Sequence, residues 1–193
     1  MEPQGVERRL AAILAADVAG YSRLMDADEE ATLRTLKAYR EVIDGLVASH
    51  RGRVFGAAGD SVIAEFASPV EAVRCAVDIQ RSVETSNADL PEDRRMRFRI
   101  GVNLGDVMVE GDDLLGDGVN VAARLEGSAD AGGICISGGA YDQVRKALDL
   151  GYEFLGKHKV KNIAEPVPVY RVHTDPGAVP RITGAQRRQW QRA

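Results

Sequence analysis

The stretch VFGAAGDSVIAEF, Val54 to Phe66, sets two apolar runs on either side of a Gly59-Asp60 turn. A Gly-Asp pair between short apolar segments is typical of a tight β-hairpin, so we predict strands at Val54–Ala57 and Val62–Phe66. Both runs have the composition of buried strands. A carboxylate at the tip of a buried hairpin therefore makes Asp60 the first candidate for chemistry.

The segments around this hairpin alternate between strand and helix patterns. The unbroken apolar run Leu10–Ala16 indicates a strand buried on both faces, which ends at Asp17. Apolar residues spaced three and four apart predict a helix from Asp28, its cap, to about Ser49. Further patterns predict a helix opened by Pro69, two strands in RFRIGVNLGDVMVEG that meet at Gly105-Asp106, a helix over Gly118–Gly127, and late strands in ICIS, YEFLG and PVPVYRV.

This order of elements predicts an α+β fold, a ferredoxin-like βαββαβ sheet with helices packed on one face. Residues 1–173 are assigned to a single domain. Residues 174–193 form a basic, polar C-terminal tail.

The composition argues against several classes of protein. The 193 residues carry a formal net charge of -4, which provides no overall basic field for nucleic acid. The longest apolar run, LAAILAADVAG, is broken by Asp17 well short of a membrane span, and no signal peptide begins the chain. Cys75 and Cys135 lie far apart and are expected to be small buried hydrophobes. We therefore expect a cytoplasmic protein without nucleic-acid or membrane partners.

Two carboxylates are candidates for a metal site. Asp17 closes the first strand and Asp60 tips the hairpin, so both emerge at one edge of the sheet if the two strands are neighbours. Mg²⁺ prefers one or two carboxylates, a backbone carbonyl and water, with substrate phosphates completing its octahedron. Each aspartate alone is explained as well by a turn or a helix cap, so the pair needs support from elsewhere.

That support comes from GDGVNVAARLE, in which Asn120 and Arg124 stand four residues apart and project from one face of a helix. An amide beside a guanidinium can hold a sugar oxygen and a phosphoryl group in a fixed orientation. The alternative is a solvated polar stripe whose other face lies in the core.

From about Arg9 to Val172 the sequence resembles the class III nucleotide cyclases, the adenylate and guanylate cyclase catalytic domain. Four segments carry the resemblance in order: ILAADVAGYS, GAAGDSVIAEF, FRIGVNLGDV and GDGVNVAARLE. The first two resemble the family's metal motifs, which implies Asp17, the backbone of Val18, and Asp60 as ligands of two divalent cations, Mg²⁺ or Mn²⁺. The last resembles its transition-state helix, which implies that Asn120 places the ribose and Arg124 the α-phosphate.

The resemblance also implies the reaction and the assembly. A nucleoside triphosphate would be converted to its 3′,5′-cyclic monophosphate and pyrophosphate, a phosphorus-oxygen lyase reaction, by in-line attack of the ribose 3′-hydroxyl. The family forms head-to-tail homodimers with shared active sites, the aspartates from one subunit and the asparagine and arginine from the other. Lys161 is implied as a triphosphate contact, with Lys157 and Lys159 as alternatives.

The base-reading positions leave the substrate open. Adenylate cyclases typically have lysine, and guanylate cyclases glutamate, where this chain has Gly56, whereas Asp113 matches the aspartate of an adenine reader. A carboxylate can also accept from cytosine N4 or uracil N3-H. Short cyclases that depart from the purine pattern resemble the pyrimidine cyclases of Pycsar antiphage defence, with Phe55 as a candidate filler of the pocket. UTP is the leading prediction, with cyclic UMP acting on a separate effector protein, and ATP is the alternative.

Two other classes of function compete with an active cyclase. The glycine at position 56 also suits a catalytically inactive cyclase fold that senses nucleotides, although such a protein has no physical need for both metal carboxylates. A metal-dependent phosphotransferase of polymerase type could share the sheet, but the chain is too short to hold a template channel as well.

Overall fold

The computed structural model describes residues 6–179. Its strands are β1 (Glu7–Val18), β2 (Arg53–Ala58), β3 (Ser61–Phe66), β4 (Phe98–Glu110), β5 (Asp113–Leu115), β6 (Ile134–Ser137), β7 (Gly151–His158) and β8 (Val167–His173). Its α-helices are α1 (Tyr21–Ala27), α2 (Glu29–Ser49), α3 (Pro69–Asn87), α4 (Asp117–Ser128) and α5 (Gly138–Val144). Most of the predicted basic tail, residues 180–193, lies outside the described residues.

The strands form one sheet in the order β2-β3-β1-β4-β6-β8-β7, with β5 paired to the end of β4. Among these described strands, only the β4–β6 pair is parallel. The predicted α+β class is confirmed. The central strands β1 and β4 pair over all twelve residues of β1, and this ladder brings the first and third sequence motifs side by side.

Helices cover both faces of the sheet, so the prediction of helices on one face is wrong. Strand β1 is apolar on both sides, as predicted. Ala12, Leu14 and Ala16 pack in a core with α2, α3 and α5, whereas Ala11, Ile13 and Ala15 pack on the opposite face with residues that include Ala122 of α4. A strand apolar on both sides requires cover on both, and α4 provides the second layer.

The predicted turn at Gly105-Asp106 is also wrong, because β4 runs through it without interruption. Its partner β1 offers ladder positions on both sides of Gly105, and the chain turns only at Gly111, which has a φ of +60°. Gly105 serves close packing instead: a Cβ there would lie 3.2 Å from the Cα of Gly118 at the start of α4.

Local capping signals fix several helix starts. Asp28 caps the N-terminus of α2, since its Oδ1 accepts a hydrogen bond from the amide of Ala31 at 2.9 Å, and Ser68 caps α3 in the same way. The short helices α1 and α5 were not predicted. Cys75 and Cys135 are free and buried, as expected. Among the described residues, no helix has the length and apolar character needed to span a bilayer.

Candidate active site

Asp17 and Asp60 meet at one edge of the sheet, the edge formed by the strand ends where β1 stops and β3 starts. Strand β3 is the antiparallel neighbour of β1, with Ala16 opposite Val62, so the turn before β3 lies beside the end of β1. There the Oδ2 of Asp60 accepts a hydrogen bond from the backbone amide of Val18 at 3.0 Å. The structure thus brings together the two carboxylates that the sequence singled out.

Arg99 is a third charged group at this edge, and the sequence reasoning missed it. It lies directly opposite Asp17 in the β1–β4 register and donates from Nε and Nη2 to the two carboxylate oxygens of Asp17 at 2.8 and 2.6 Å. Hydrogen bonding to Asp17 raises the pKa of Arg99 further above its ordinary value. This two-pronged pairing is the geometry that a guanidinium and a carboxylate favour.

Glu126 of α4 adds a second missed group, a carboxyl. It is 8% exposed, and its Oε1 lies 3.7 Å from Nη2 of Arg99. Burial raises the pKa of Glu126 to about 8, helped by the nearby Asp17 carboxylate and opposed by the charge of Arg99. The site therefore combines the carboxyl groups of Asp17, Asp60 and Glu126 with the fixed positive charge of Arg99.

Asn120 and Arg124 occupy the exposed face of α4. Neither side chain makes a hydrogen bond or an ion pair with any described residue, including Asp17 and Asp60. The core face of the same helix packs tightly on β4, where a methyl group on Gly101 would overlap the backbone of Ala122 and Glu126. The helix is thus fixed in place while its two polar side chains remain available.

The candidate base-reading residues lie around β2 and β5. Phe55 is half-buried in the cluster on the α4 face of the sheet, beside a register shift that separates Val54 from Gly56. Asp113 is exposed at the start of β5, and Arg53 of β2 donates to the carbonyl oxygen of Asp112 at 2.8 Å. This hydrogen bond ties the two segments together within one chain.

Lys161 is exposed in the turn between β7 and β8. The next residue, Asn162, adopts a φ of +66°, and the preceding Val160 is buried. Lys157 and Lys159 are also exposed. No described residue pairs with Lys161, so the structure does not choose among the three lysines.

The donor set at the edge of the sheet suits a hard divalent cation. Mg²⁺ typically takes only a few ligands from the protein when substrate phosphates supply the remaining ones. The carboxylates of Asp17 and Asp60, with the backbone of Val18, match such a small ligand set. Within residues 6–179, no group of three or more His, Cys, Asp or Glu side chains is arranged to hold a metal ion by itself.

The structure is an α+β domain whose sheet brings the carboxylates of Asp17 and Asp60 together beside the backbone amide of Val18. A family model described as the adenylate and guanylate cyclase catalytic domain matches residues 7–173. The chain belongs to this family.

Relatives and solved structures agree with that assignment. A putative adenylate cyclase 3 of Rhizobium meliloti is 52% identical over 171 residues, which are 88% of this chain and 29% of that protein. A solved adenylate/guanylate cyclase/hydrolase from Silicibacter pomeroyi is 41% identical with a TM-score of 0.82, covering 92% of this chain and 100% of that one. An adenylyl cyclase structure from P. aeruginosa, 22% identical with a TM-score of 0.76 over 86% of this chain and 95% of its own, shows the fold alone.

The chain spans less than a third of the length of two curated relatives named as adenylate cyclases. It covers 29% of the R. meliloti protein above and 24% of a second one named adenylate cyclase 1, to which it is 30% identical over 74% of its own length. The matched region is thus one part of those longer proteins.

Proposed function

We propose that this chain is an active nucleotide cyclase that converts ATP to 3′,5′-cyclic AMP and pyrophosphate. The observation that carries the proposal is the convergence of Asp17 and Asp60 at the sheet edge, joined through the amide of Val18. These residues would hold two divalent cations, Mg²⁺ or Mn²⁺, through both carboxylates and the backbone of Val18. When bound, such cations supply charge neutralisation at the phosphates and acidify the attacking hydroxyl.

Asn120 and Arg124 would act on the substrate from a second subunit. Both are exposed, and their side chains have no partners among the described residues of their own chain, as expected of groups that complete a site across an interface. The amide of Asn120 orients the ribose, and the guanidinium of Arg124 stabilises the charge that develops on the α-phosphate. The assembly is a head-to-tail homodimer with two shared sites, and Lys161 contacts the triphosphate.

ATP is favoured by one observation, and Asp113 is compatible with it. The R. meliloti relative that is 52% identical is named a putative adenylate cyclase. Asp113 is exposed and can accept a hydrogen bond from the exocyclic amine of adenine.

Gly56 supports a second candidate, a pyrimidine cyclase. The position offers no side chain to read a purine, and Phe55 beside it could fill space next to a smaller base. The product would then be cyclic UMP made from UTP, acting on a separate effector in antiphage defence. None of the relatives described above is named for a pyrimidine nucleotide.

The test is to incubate the purified protein separately with ATP, GTP, CTP and UTP, with Mg²⁺ or Mn²⁺, and to identify products by mass spectrometry. We expect cyclic AMP to dominate and Asp60→Asn to abolish it. If cyclic UMP dominates, the proposed ATP substrate is wrong and the chain is a pyrimidine cyclase. Four unchanged nucleotides would support an inactive, nucleotide-sensing domain.

A substitution at Gly56 tests which position reads the base. A Cβ there would make only ordinary van der Waals contacts, 3.6 Å from the Cβ of Ile63, so the first carbon of a side chain fits without overlap. Gly56→Lys should raise the preference for ATP over UTP. An unchanged preference would place base recognition elsewhere.

A further inference from the structure

The guanidinium of Arg99 occupies the oxygens that a cation at Asp17 would need. Its Nε and Nη2 lie 2.8 and 2.6 Å from Oδ1 and Oδ2 of Asp17, so both carboxylate oxygens already accept a charge-assisted hydrogen bond. A divalent cation bound to the same carboxylate would also stand close to a fixed positive charge, which repels it.

Arg99 is able to leave Asp17 for another anion. A second carboxyl oxygen, Oε1 of Glu126, already lies 3.7 Å from its Nη2, so the guanidinium keeps a nearby acceptor when it moves. The Arg99 side chain is 31% exposed, so the core does not enclose it. Its hydrogen bonds to Asp17 hold it in place. Its contact with Asp17 can therefore be exchanged for a contact with an incoming anion.

We propose that Arg99 gates the metal site: in the nucleotide-free protein it closes Asp17 to a lone divalent cation, and it releases Asp17 only when a stronger anion draws it away. The inference rests on the proposed function, in which the anion is the polyphosphate of the substrate. Metal and nucleotide then bind with positive coupling, and by linkage each strengthens the binding of the other to the same degree.

The gate is tested by titrating the full chain with Mn²⁺ alone and measuring free Mn²⁺ by electron paramagnetic resonance. Arg99→Gln should bind Mn²⁺ at least about tenfold more tightly than wild type, since it removes a two-pronged charged pair from the ligand. Arg97→Gln is the matched control, because Arg97 lies two residues earlier in the chain and pairs with Glu92 at 2.7 Å instead. Its affinity should stay close to wild type.

Two further variants distinguish release of the Asp17 carboxylate from a general change in surface charge. Arg99→Lys keeps the positive charge but loses the fork, and it should bind Mn²⁺ with an affinity between those of wild type and Arg99→Gln. Adding Asp17→Asn to Arg99→Gln should abolish the gain. Thermal unfolding monitored by circular dichroism verifies that each variant is folded. If Arg99→Gln does not fold, the Mn²⁺ affinity of Arg99→Lys is compared with that of wild type instead.

The proposal is overturned if Arg99→Gln and Arg99→Lys both bind Mn²⁺ no more tightly than wild type, or if Arg97→Gln gains as much. Because this measurement uses no nucleotide and no turnover, it is independent of the cyclase assay. If the wild-type chain makes cyclic AMP but Arg99→Gln shows no gain in Mn²⁺ affinity, only the gate proposal is wrong. If Arg99→Gln shows the gain but the wild-type chain makes no cyclic nucleotide, only the proposed function is wrong.

Discussion

The carboxylate of Asp60 accepts a hydrogen bond from the backbone amide of Val18 at 3.0 Å, which ties the tip of the β2–β3 hairpin to the end of β1. Asp60 therefore has a structural task that does not depend on any metal. Its neighbour Asp17 is fixed differently, by the side chain of Arg99. The two carboxylates are held by independent contacts, and substitutions can separate their structural and chemical roles.

Asp60→Asn should preserve the fold and remove cyclase activity. The amide oxygen of asparagine can still accept from Val18, but it carries no charge for a cation. We expect Asp60→Asn to leave the free energy of unfolding nearly unchanged and Asp60→Ala to lower it by about 1 kcal/mol, the usual contribution of one hydrogen bond. Urea unfolding of the metal-free protein measures both. Equal losses in the two variants would contradict the structural role assigned to this hydrogen bond.

Mixing two inactive variants should restore activity if the sites are shared between subunits. Arg124→Ala alone should lower turnover by at least about a hundredfold, as loss of a transition-state contact does. When equal amounts of this variant and Asp60→Asn are mixed and their subunits exchange freely, half of the dimers are heterodimers. Each heterodimer has one intact site of two, so about one quarter of wild-type activity should return. The control is Asp17→Asn mixed with Asp60→Asn, which leaves the metal half of every site broken. Recovery in that mixture, or none in the first, would contradict the shared-site dimer.

Gly101→Ala should destabilise the domain because β4 and α4 approach each other closely at that position. The new methyl group would overlap the backbone of Ala122 and Glu126, and forced overpacking typically costs about 1–3 kcal/mol. The matched control is Gly45→Ala in α2, where no atom apart from the adjacent residues and the local helix backbone lies within 4 Å of the new Cβ. That change should stabilise by about 0.5–1 kcal/mol through helix propensity. Thermal and urea unfolding compare the two, and similar effects would contradict the packing argument.

The pairing of His50 with Glu71 should make stability depend on pH in acid. The imidazole lies between two acids, with Nδ1 3.0 Å from Glu71 and Nε2 2.8 Å from Asp78, and its hydrogen bond lowers the pKa of Glu71 below the ordinary 4.5. A carboxyl group with a lowered pKa stabilises the fold above its unfolded pKa, and the contribution is lost as pH falls through the folded value.

His50→Gln should therefore have a lower free energy of unfolding than wild type above pH 4.5, where this contribution is fully present, and the difference should shrink as pH falls below 4.5. Urea unfolding across this range provides the measurement. His158→Gln is the control, since His158 contacts the carbonyl oxygen of Leu155 instead of a carboxylate and should show no such trend. A wild-type advantage over His50→Gln that stays constant with pH would contradict the assignment.

Local sequence signals predicted much of the fold because they act over a few residues. The Gly59-Asp60 turn, the Asp28 cap and the Pro69 helix start all stand where they were predicted. The turn predicted at Gly105-Asp106 failed because a glycine that permits close packing against Gly118 has the same local signature as one that permits a turn. Only the ladder with β1 distinguishes the two.

The same limit applies to the candidate site. Asp17 and Asp60 could be selected because each ends an apolar run, a local pattern. Arg99 and Glu126 carry no comparable signal: Arg99 is one polar residue in an alternating strand, and Glu126 is one acid on an amphipathic helix. Their importance follows from register and helix packing, which join residues 82 positions apart in the case of Asp17 and Arg99.

The long ladder between β1 and β4 also has a consequence for synthesis on the ribosome. Strand β1 emerges first and can pair with β3 early, but its other edge stays open until the partner of Asp17 follows 82 residues later. At about 5–20 residues per second, that delay lasts on the order of 4–16 s. The unbroken apolar run of β1 is thus exposed for seconds, so we expect chaperones that recognise extended hydrophobic segments to bind it during translation.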